Sequence, residues 1–406
     1  MKRREKDRTR DPQEIPVEIS APQNEYYEAV SERCGLLQVF LYLVLLAFVA
    51  VSFLTNTDLI TYQNLYYFVK DLNATTETVD VLHSDAVSYP TDASQSFTLY
   101  RQGLAVAGNT SVTVFTAGGR QTISKNVQYQ NPVAVGSGKY LLVYELDGTQ
   151  YSLYNSYTQI HSGKTDVPIR CATMSECGMY AIVTDSEQYA SVVRLYNSDF
   201  ELLNQYRYNS YVTDVCIDER GSYIAMLLSK VENGSFSTTL NVYEPQKDTL
   251  FAQCTVGNGL GLQCSFTNSG SVSVLCTNSV YYVSVRGKLI AEHGFDGMNP
   301  VSFELTDDGV AVVLRKSGST SDHRVMLFDK DGTVTYQDTL NRHVRAVSRS
   351  EKSVYLLCSD GVLRIDTSKD AENFISCETE NRVMLAAGEG RVLLCSPQKA
   401  VYYNFD

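Results

Sequence analysis

The sequence predicts an all-β protein, a β-propeller of eight blades preceded by a single transmembrane α-helix, with seven blades as the alternative. Three observations lead to this fold class. Twenty consecutive residues near the N-terminus carry no charge, strands and glycine turns recur roughly every 40 residues after them, and no helical pattern interrupts the repeats. Units of four short antiparallel strands are typical of propeller blades.

The composition agrees with a β-rich chain and argues against one class of partner. The 406 residues include 28 Tyr, no Trp and only 9 Pro, and 44% of them are hydrophobic. Such a chain can bury a large core and favours strands. The net charge is −12. Because binding to phosphates needs clustered Lys and Arg, we expect no nucleic-acid partner.

The predicted membrane segment covers residues 35–54. It runs from Gly35 to Leu54 without a charged side chain, and Arg33 and Asp58 bracket it. As a helix this segment is about 30 Å long, which is the thickness of the hydrocarbon core of a bilayer. The stretch is apolar on every side, so a buried helix of a soluble core is disfavoured.

The orientation of this helix follows from the distribution of Lys and Arg. Only Lys70 follows the helix before residue 75, whereas seven basic residues precede it: Lys2, Arg3, Arg4, Lys6, Arg8, Arg10 and Arg33. We therefore expect residues 1–34 to be a disordered cytoplasmic tail. The protein would be single-pass in the cell membrane, with its C-terminal domain extracytoplasmic. A cleaved signal peptide, cut near Ala50-Val51-Ser52, is the alternative, although its n-region would be long.

Residues 55–95 are predicted to be a stem helix and a linker. Leu65, Phe68, Val69 and Leu72 recur at helical spacing, which indicates a short amphipathic helix. The linker contains one strand-like segment, Thr78–His83. This segment is the candidate for a strand that closes the propeller ring.

Residues 96–406 contain the repeat. The second strand of each unit is the most apolar, and eight can be read: Leu104–Gly108, Tyr140–Tyr144, Tyr180–Val183, Tyr223–Leu228, Ser271–Cys276, Val310–Leu314, Val354–Cys358 and Val392–Cys395. A polar turn with glycine precedes several of them, as in Asp218-Glu-Arg-Gly221. Two further strands follow in each unit except the eighth, which lacks the last one. Since a ring closes well when both chain ends share a blade, we expect the N-terminal strand to complete the eighth blade.

At Asp218-Glu-Arg-Gly-Ser-Tyr-Ile-Ala-Met226 and its equivalents, the chain resembles the broad superfamily of WD40-like, TolB-like and quinoprotein-like propellers. The resemblance covers residues 96–406 and implies a fold, not an activity, because the Trp-Asp dipeptide and the Trp docking motif of better-known branches are missing. The whole layout of basic tail, helix, stem and propeller is similar to an uncharacterised family of Clostridia-type bacteria, a domain of unknown function. That family implies a topology and no established activity.

The cysteines are predicted to be small buried side chains with free thiols. Repeated positions in packed sheets favour this interpretation over disulfides or metal ligands, although a bridge between Cys171 and Cys177 is an alternative. Two sets of three occupy matching places, one at the ends of apolar strands and one in the first strands of successive units: Cys276, Cys358 and Cys395, and Cys171, Cys216 and Cys264.

No catalytic, cofactor-binding or metal-binding residue is predicted, and no cofactor. None of the histidines is paired locally with Asp, Glu or Cys at the spacing of metal ligands: His83, His161, His293, His323 and His343. Asp329-Lys-Asp-Gly332 resembles the start of a calcium loop, but a strand pattern follows it directly, so a tight turn is favoured. The segment Lys230–Ser237 lengthens the fourth unit and is interpreted as a loop, either functional or a tolerated insertion.

The predicted function is non-enzymatic: a membrane-anchored extracytoplasmic propeller that acts as a protein-interaction scaffold. Its expected partners are the membrane itself and another envelope or membrane protein. The alternatives are a receptor for a small molecule, glycan or cell-wall fragment at the channel, and an enzyme at the channel mouth. An exposed apolar patch favours the scaffold, a deep polar pocket the receptor, and a ring of His, Asp and Arg the enzyme.

Overall fold

The computed structural model describes residues 30, 33–35, 37–47, 86–247, 249–318, 322–350, 352–367, 371–377, 380 and 383–405. The chain divides into two compact units, Met1–Ala74 and Thr75–Asp406. In the first unit, residues 33–35 and 37–47 are helical. Among the described residues, no helix is long and apolar enough to cross a membrane. The predicted tail, the end of the predicted membrane helix and the stem lie largely outside the described residues.

The second unit is a propeller of eight four-stranded antiparallel blades, which confirms the favoured blade count. From the centre outwards, blade 1 consists of β2 (Gln95–Tyr100), β3 (Gly103–Gly108), β4 (Ser111–Phe115) and β5 (Gln121–Asn126), and blade 2 of β6 (Pro132–Gly136), β7 (Leu141–Glu145), β8 (Gln150–Tyr154) and β9 (Gln159–Lys164). Blade 3 consists of β10 (Ile169–Met174), β11 (Tyr180–Thr184), β12 (Ser191–Tyr196) and β13 (Leu202–Tyr208), and blade 4 of β14 (Tyr211–Ile217), β15 (Ile224–Glu232), β16 (Ser235–Glu244) and β17 (Thr249–Asn258).

Blades 5 to 8 follow the same plan, and the last one takes its outermost strand from the N-terminal side of the chain. In order from the centre, blade 5 consists of β18 (Gly261–Phe266), β19 (Ser271–Cys276), β20 (Ser279–Ser284) and β21 (Leu289–Gly294), and blade 6 of β22 (Asn299–Thr306), β23 (Gly309–Arg315), β24 (Asp322–Asp329) and β25 (Val334–Asn341). Blade 7 consists of β26 (Val344–Arg349), β27 (Ser353–Cys358), β28 (Gly361–Asp366) and β29 (Ala371–Ser376), and blade 8 of β30 (Val383–Ala386), β31 (Arg391–Cys395), β32 (Lys399–Asn404) and β1 (Val87–Ser88).

The first strands of successive blades contact one another and line the central channel of the ring. β2 contacts β6, β14 contacts β18, and β30 returns to β2. The turns between the first and second strands and between the third and fourth strands therefore lie on one face of the disc, which we call the lower face. The remaining turns and the connections between blades lie on the other, the upper face.

The ring closes through a strand from the N-terminal side, as expected, at a position later than the predicted one. Val87 pairs with Ala400 and Ser88 with Lys399, and Thr78–His83 lies outside the described residues. Tyr89 continues the contact, because its N–H donates to Gln398 O at 3.1 Å and its hydroxyl to Ser396 O at 2.7 Å. The short connection 89–94 then carries the chain from the outer rim to the channel.

The core lies between neighbouring blades. Along β15 the side chains alternate between the two sides: Ala225 and Leu227 pack with Val272 and Val274 of blade 5, while Met226 packs with residues of blade 3. Because both faces of each blade are covered, the second strands are apolar throughout rather than alternating. This arrangement explains the eight apolar strands by which the repeat is recognised in the sequence.

The glycine turns on the lower face have the predicted geometry. Gly221 and Gly270 have φ values of 68° and 76°, and their N–H groups donate to Asp218 O at 3.0 Å and Thr267 O at 2.9 Å. Positive φ values of this size carry a steric cost for residues with a Cβ, so glycine is favoured in each turn.

Candidate interaction surface

Side chains of the channel-lining strands bond several blades to the next one in the ring. Ser96 Oγ accepts a hydrogen bond of 3.1 Å from the backbone N–H of Ala134. In the same way, Ser302 Oγ bonds to the N–H of Val347 at 3.0 Å. A third bond of this type, 2.8 Å long, joins Ser348 Oγ to the next blade. Such bonds satisfy edge N–H groups that have no ladder partner within their own blade.

Two further side chains that bond one blade to the next are carboxyls. Asp214 Oδ2 accepts from the N–H of Cys264 at 2.8 Å, and Glu304 accepts from the N–H of Arg349. Burial raises the pKa of Asp214 to about 6 and that of Glu304 to about 7, because the charged form loses its water. Both carboxyls are therefore engaged in holding the ring.

Arg349 is a third ionisable side chain on a channel-lining strand, and it too forms hydrogen bonds between blades. Its guanidinium donates to the carbonyl oxygens of Val310 at 3.2 Å and Asp308 at 3.0 Å, and also to that of Phe328. Burial lowers the pKa of this group. Asp214, Glu304 and Arg349 thus bond to backbone groups of neighbouring blades, and they form ties between blades rather than an acid–base set.

The cysteines of the three successive first strands converge around Asp214. The neighbouring thiol of Cys216, together with burial, raises the pKa of Cys264. Burial and the Asp214 carboxyl raise the pKa of Cys171. Raised pKa values keep thiols protonated and unreactive. The buried packing predicted for Cys276, Cys358 and Cys395 is confirmed, whereas the convergence around Asp214 was not foreseen.

The described histidines lie at three separate places in the propeller. His161 stacks on Phe200 with ring centroids 4.6 Å apart, and His293 bonds to Gly332 O at 2.7 Å. His323 is buried next to His343, with ring centroids 5.4 Å apart; His83 lies outside the described residues. Within the described ranges, no group of three or more His, Cys, Asp or Glu is arranged to hold a metal ion.

The segment Lys230–Ser237, which we expected to be a loop, is a projecting β-hairpin. β15 and β16 continue pairing to Glu232 and Ser235 and leave a two-residue turn. Both turn residues have positive φ, 52° for Asn233 and 79° for Gly234. Asn-Gly with two positive φ values is the favoured turn of two-residue hairpins. The loop prediction was therefore wrong, because the Asn-Gly dipeptide already indicated a hairpin in the sequence.

This hairpin has one apolar side. Val231 pairs with Phe236, and Tyr211 pairs with Ser229 two residues earlier on the same strand. Since paired residues and alternate residues of a strand share a side, Tyr211, Val231 and Phe236 point the same way. Lys230 and Glu232 lie on the opposite side, where they form an ion pair of 2.8 Å. We call Tyr211, Val231 and Phe236 the hairpin patch.

The hairpin patch is open to solvent but rigidly supported. Tyr211, Val231 and Phe236 are 66%, 64% and 45% exposed. Below them, Ser229 Oγ and Thr238 Oγ1 bond to each other at 2.9 Å and both accept from the N–H of Gly261. The hairpin rises on the upper face, next to the connection into blade 5. An exposed apolar cluster on a fixed strand pair is typical of a protein-binding surface.

Comparison with known proteins agrees with this fold. A family model described as "Family of unknown function (DUF5711)" matches residues 73–400. No curated protein sequence matches the chain. Among solved structures, the C-terminal WD40 domain of Sif2 is 12% identical with a TM-score of 0.56, covering 79% of this chain and 97% of that domain. Chaetomium thermophilum Sqt1, bound to the N-terminus of the ribosomal protein L10, is 11% identical with a TM-score of 0.52, covering 79% and 100%. The WD40-like fold expected from the sequence is confirmed.

Proposed function

The chain belongs to the DUF5711 family of unknown function, and we propose that it is a membrane-anchored scaffold whose propeller docks another envelope or membrane protein. The observation that carries this proposal is the hairpin patch: three exposed apolar side chains on one side of a rigid hairpin. The fold supports it as well, since propellers commonly present binding surfaces on their faces. Three ionisable groups of the channel-lining strands, Asp214, Glu304 and Arg349, bond to the backbone of neighbouring blades and hold the ring together.

The proposed anchor is the uncharged segment 35–54. Within it, the helical residues 37–47 include nine large apolar side chains, from Leu37 to Leu46, and all of them are exposed. A helix that is apolar on every side is stable only when it is buried in protein or lipid. The seven basic residues before it and the single Lys70 after it support an N-terminus in the cytoplasm and a propeller outside.

The test is crosslinking in intact cells that express the tagged full-length protein, followed by purification and mass spectrometry. Three forms are compared: the native protein, the double variant Val231→Ser with Phe236→Ser, and a matched control, Lys230→Ser with Glu232→Ser, on the opposite side of the same hairpin. We expect one abundant membrane or envelope protein that is recovered with the native protein and the control and is lost with the apolar double variant.

A recovered partner is then purified and titrated against the same three proteins. We expect the apolar double variant to weaken binding at least tenfold, because loss of two anchor side chains at an interface typically costs about 1–2 kcal/mol each. Equal recovery and equal affinity for all three forms would exclude the hairpin patch as the docking surface. Release of the native protein from membranes by alkaline carbonate would exclude the anchor independently of the partner.

A further inference from the structure

The outermost strands of blades 1 to 6 share a β-bulge just after the turn that enters them on the lower face. In each of these strands, two consecutive residues face one residue of the third strand. In blade 5, for example, Val283 pairs with Leu289 and Tyr282 with Ala291, which leaves Ile290 as the extra residue. A bulge of this kind directs neighbouring side chains outwards at the edge of a sheet.

The residues at this bulge change character around the ring. Blades 1 and 2 have Gln121 and Gln159 before the bulge, whereas blades 3 to 6 have aliphatic residues. Apolar bulge residues occur in blades 2 to 5: Ile160 and Leu203 of blades 2 and 3 pack against the cores between blades, whereas Phe251 and Ile290 of blades 4 and 5 are exposed. We call the resulting arc the apolar rim; its members are between 36% and 52% exposed: Leu202, Leu250, Phe251, Leu289, Ile290 and Val334.

Cationic side chains accompany the apolar rim. The turn of blade 5 reads Arg286-Gly-Lys288 and leads directly into Leu289 and Ile290, with all four side chains exposed and no acidic residue among them. The turn is fixed by Gly287, whose φ is 79° and whose N–H donates to Ser284 O at 2.8 Å. Lys247 and Lys330 occupy the matching turns of blades 4 and 6, but Lys247 forms an ion pair with Glu244, and Asp329 and Asp331 flank Lys330. The net positive charge along the apolar rim is therefore confined to Arg286 and Lys288 in blade 5.

We infer that the blade 5 part of the apolar rim, Leu289 and Ile290 together with Arg286 and Lys288, rests on the surface of an anionic lipid bilayer. Aliphatic side chains that enter the headgroup boundary beside Lys and Arg match the chemistry of such a surface. The long stems of Arg and Lys can lie along the apolar layer while their charges reach the phosphates. A single turn that protrudes at the convex outer edge of the disc suits a flat lipid surface better than a binding pocket does.

This inference rests on the membrane anchoring in the proposed function. The covalent chain between the helical residues 37–47 and β1 comprises residues 48–85, which reach on the order of 100 Å when extended. The propeller can therefore contact the bilayer that holds its anchor. Because the apolar rim lies on the lower face and the hairpin patch on the upper face, lipid contact leaves the hairpin patch accessible to a partner.

The test uses tryptophan fluorescence, because the chain has no Trp of its own. Three full-length variants are reconstituted into vesicles with brominated lipids and a third of anionic lipid: Ile290→Trp on the apolar rim, Phe236→Trp on the hairpin patch and Phe40→Trp in the anchor. We expect bromolipids to quench Ile290→Trp and Phe40→Trp by half or more and to leave Phe236→Trp unchanged. Adding Arg286→Glu and Lys288→Glu to Ile290→Trp is expected to abolish its quenching.

Each other result has a defined meaning. Quenching of Phe40→Trp without quenching of Ile290→Trp would overturn the lipid contact and leave the anchor intact. Absence of quenching in Phe40→Trp would overturn the anchor itself. Equal quenching of Ile290→Trp and Phe236→Trp would overturn the proposed orientation of the propeller on the bilayer. Equal quenching of Ile290→Trp in vesicles of neutral phosphatidylcholine alone would overturn the role of the two cations.

Discussion

Asp214 in blade 4 accepts a 2.8 Å hydrogen bond from the backbone N–H of Cys264 in blade 5. The two residues are far apart in sequence, and the bond joins the channel-lining strands β14 and β18. The carboxyl is buried where it makes this bond, and burial raises its pKa to about 6. A structural tie that is also a titrating group gives the ring a measurable dependence on pH.

We expect Asp214→Asn to stabilise the propeller above pH 6. The pKa in the folded state lies above the ordinary value of 3.8, so the folded protein holds this proton more tightly than the unfolded chain does. The contribution of Asp214 to the free energy of unfolding is therefore greatest below pH 4 and is lost as the pH rises through 6. Asn keeps the acceptor oxygen without the charge, so a gain of about 1–3 kcal/mol at pH 8 is expected.

Urea denaturation at several pH values between 4 and 8 measures this effect. Asp166→Asn provides the matched control, because it removes the same charge from an exposed side chain. If Asp214→Asn and the native protein show the same change in stability with pH, Asp214 does not titrate as a buried group.

Arg349→Met is expected to lower the free energy of unfolding by about 2–4 kcal/mol. The substitution keeps much of the side-chain volume but leaves the carbonyl oxygens of Val310, Phe328 and Asp308 without a guanidinium donor. Buried acceptors that lose their donor typically cost about 1–3 kcal/mol each, partly offset because burying the charge was itself unfavourable. Thermal and chemical unfolding measure the loss, and exposed Arg220→Met should leave stability within about 0.5 kcal/mol. An unchanged Arg349→Met protein would show that these bonds contribute nothing net.

Tyr89→Phe tests the closure of the ring. The hydroxyl of Tyr89 donates to Ser396 O at 2.7 Å in a buried contact beside β1. Removing it leaves a buried carbonyl unpaired, and a loss of about 1–2 kcal/mol is expected. Tyr211→Phe, at a residue that is 66% exposed, is the control and should be neutral. Equal stabilities of the two variants would contradict a contribution of this bond to closure.

Gly261→Ala should destabilise the protein by about 1–3 kcal/mol, because two neighbouring blades meet at this glycine. An added Cβ would lie 2.7 Å from Leu227 Cδ2 and 2.9 Å from Thr238 Cγ2. The same change at Gly294, where the nearest atom is Ser279 Oγ at 4.0 Å, should be tolerated. Unfolding midpoints of the two variants decide the matter, since similar values would mean that blades 4 and 5 can separate without cost.

The sequence predicted the repeat because its signal is local. The apolar strand Ile224–Leu228 and the glycine turn at Gly221 lie within ten residues of each other; the apolar strand recurs in every blade and the glycine turn in several. The hairpin at Asn233-Gly234 was equally local, and the Asn-Gly turn signal would have revealed it. Its apolar side was harder to predict, because Tyr211 joins Val231 and Phe236 only through the pairing of β14 with β15.

The sequence by itself determined the fold class, the eight blades, the closure by an N-terminal strand and the packing of repeated cysteines, since periodicity fixes which residues face a neighbour. Only the tertiary structure decided which distant residues meet. The thiols of Cys171 and Cys264 reach Asp214, and Arg349 reaches the carbonyls of blade 6, because circular closure stacks blades side by side. Contacts between residues some 40 positions apart depend on how each blade is rotated relative to the next blade around the ring. A local sequence pattern does not contain this angle.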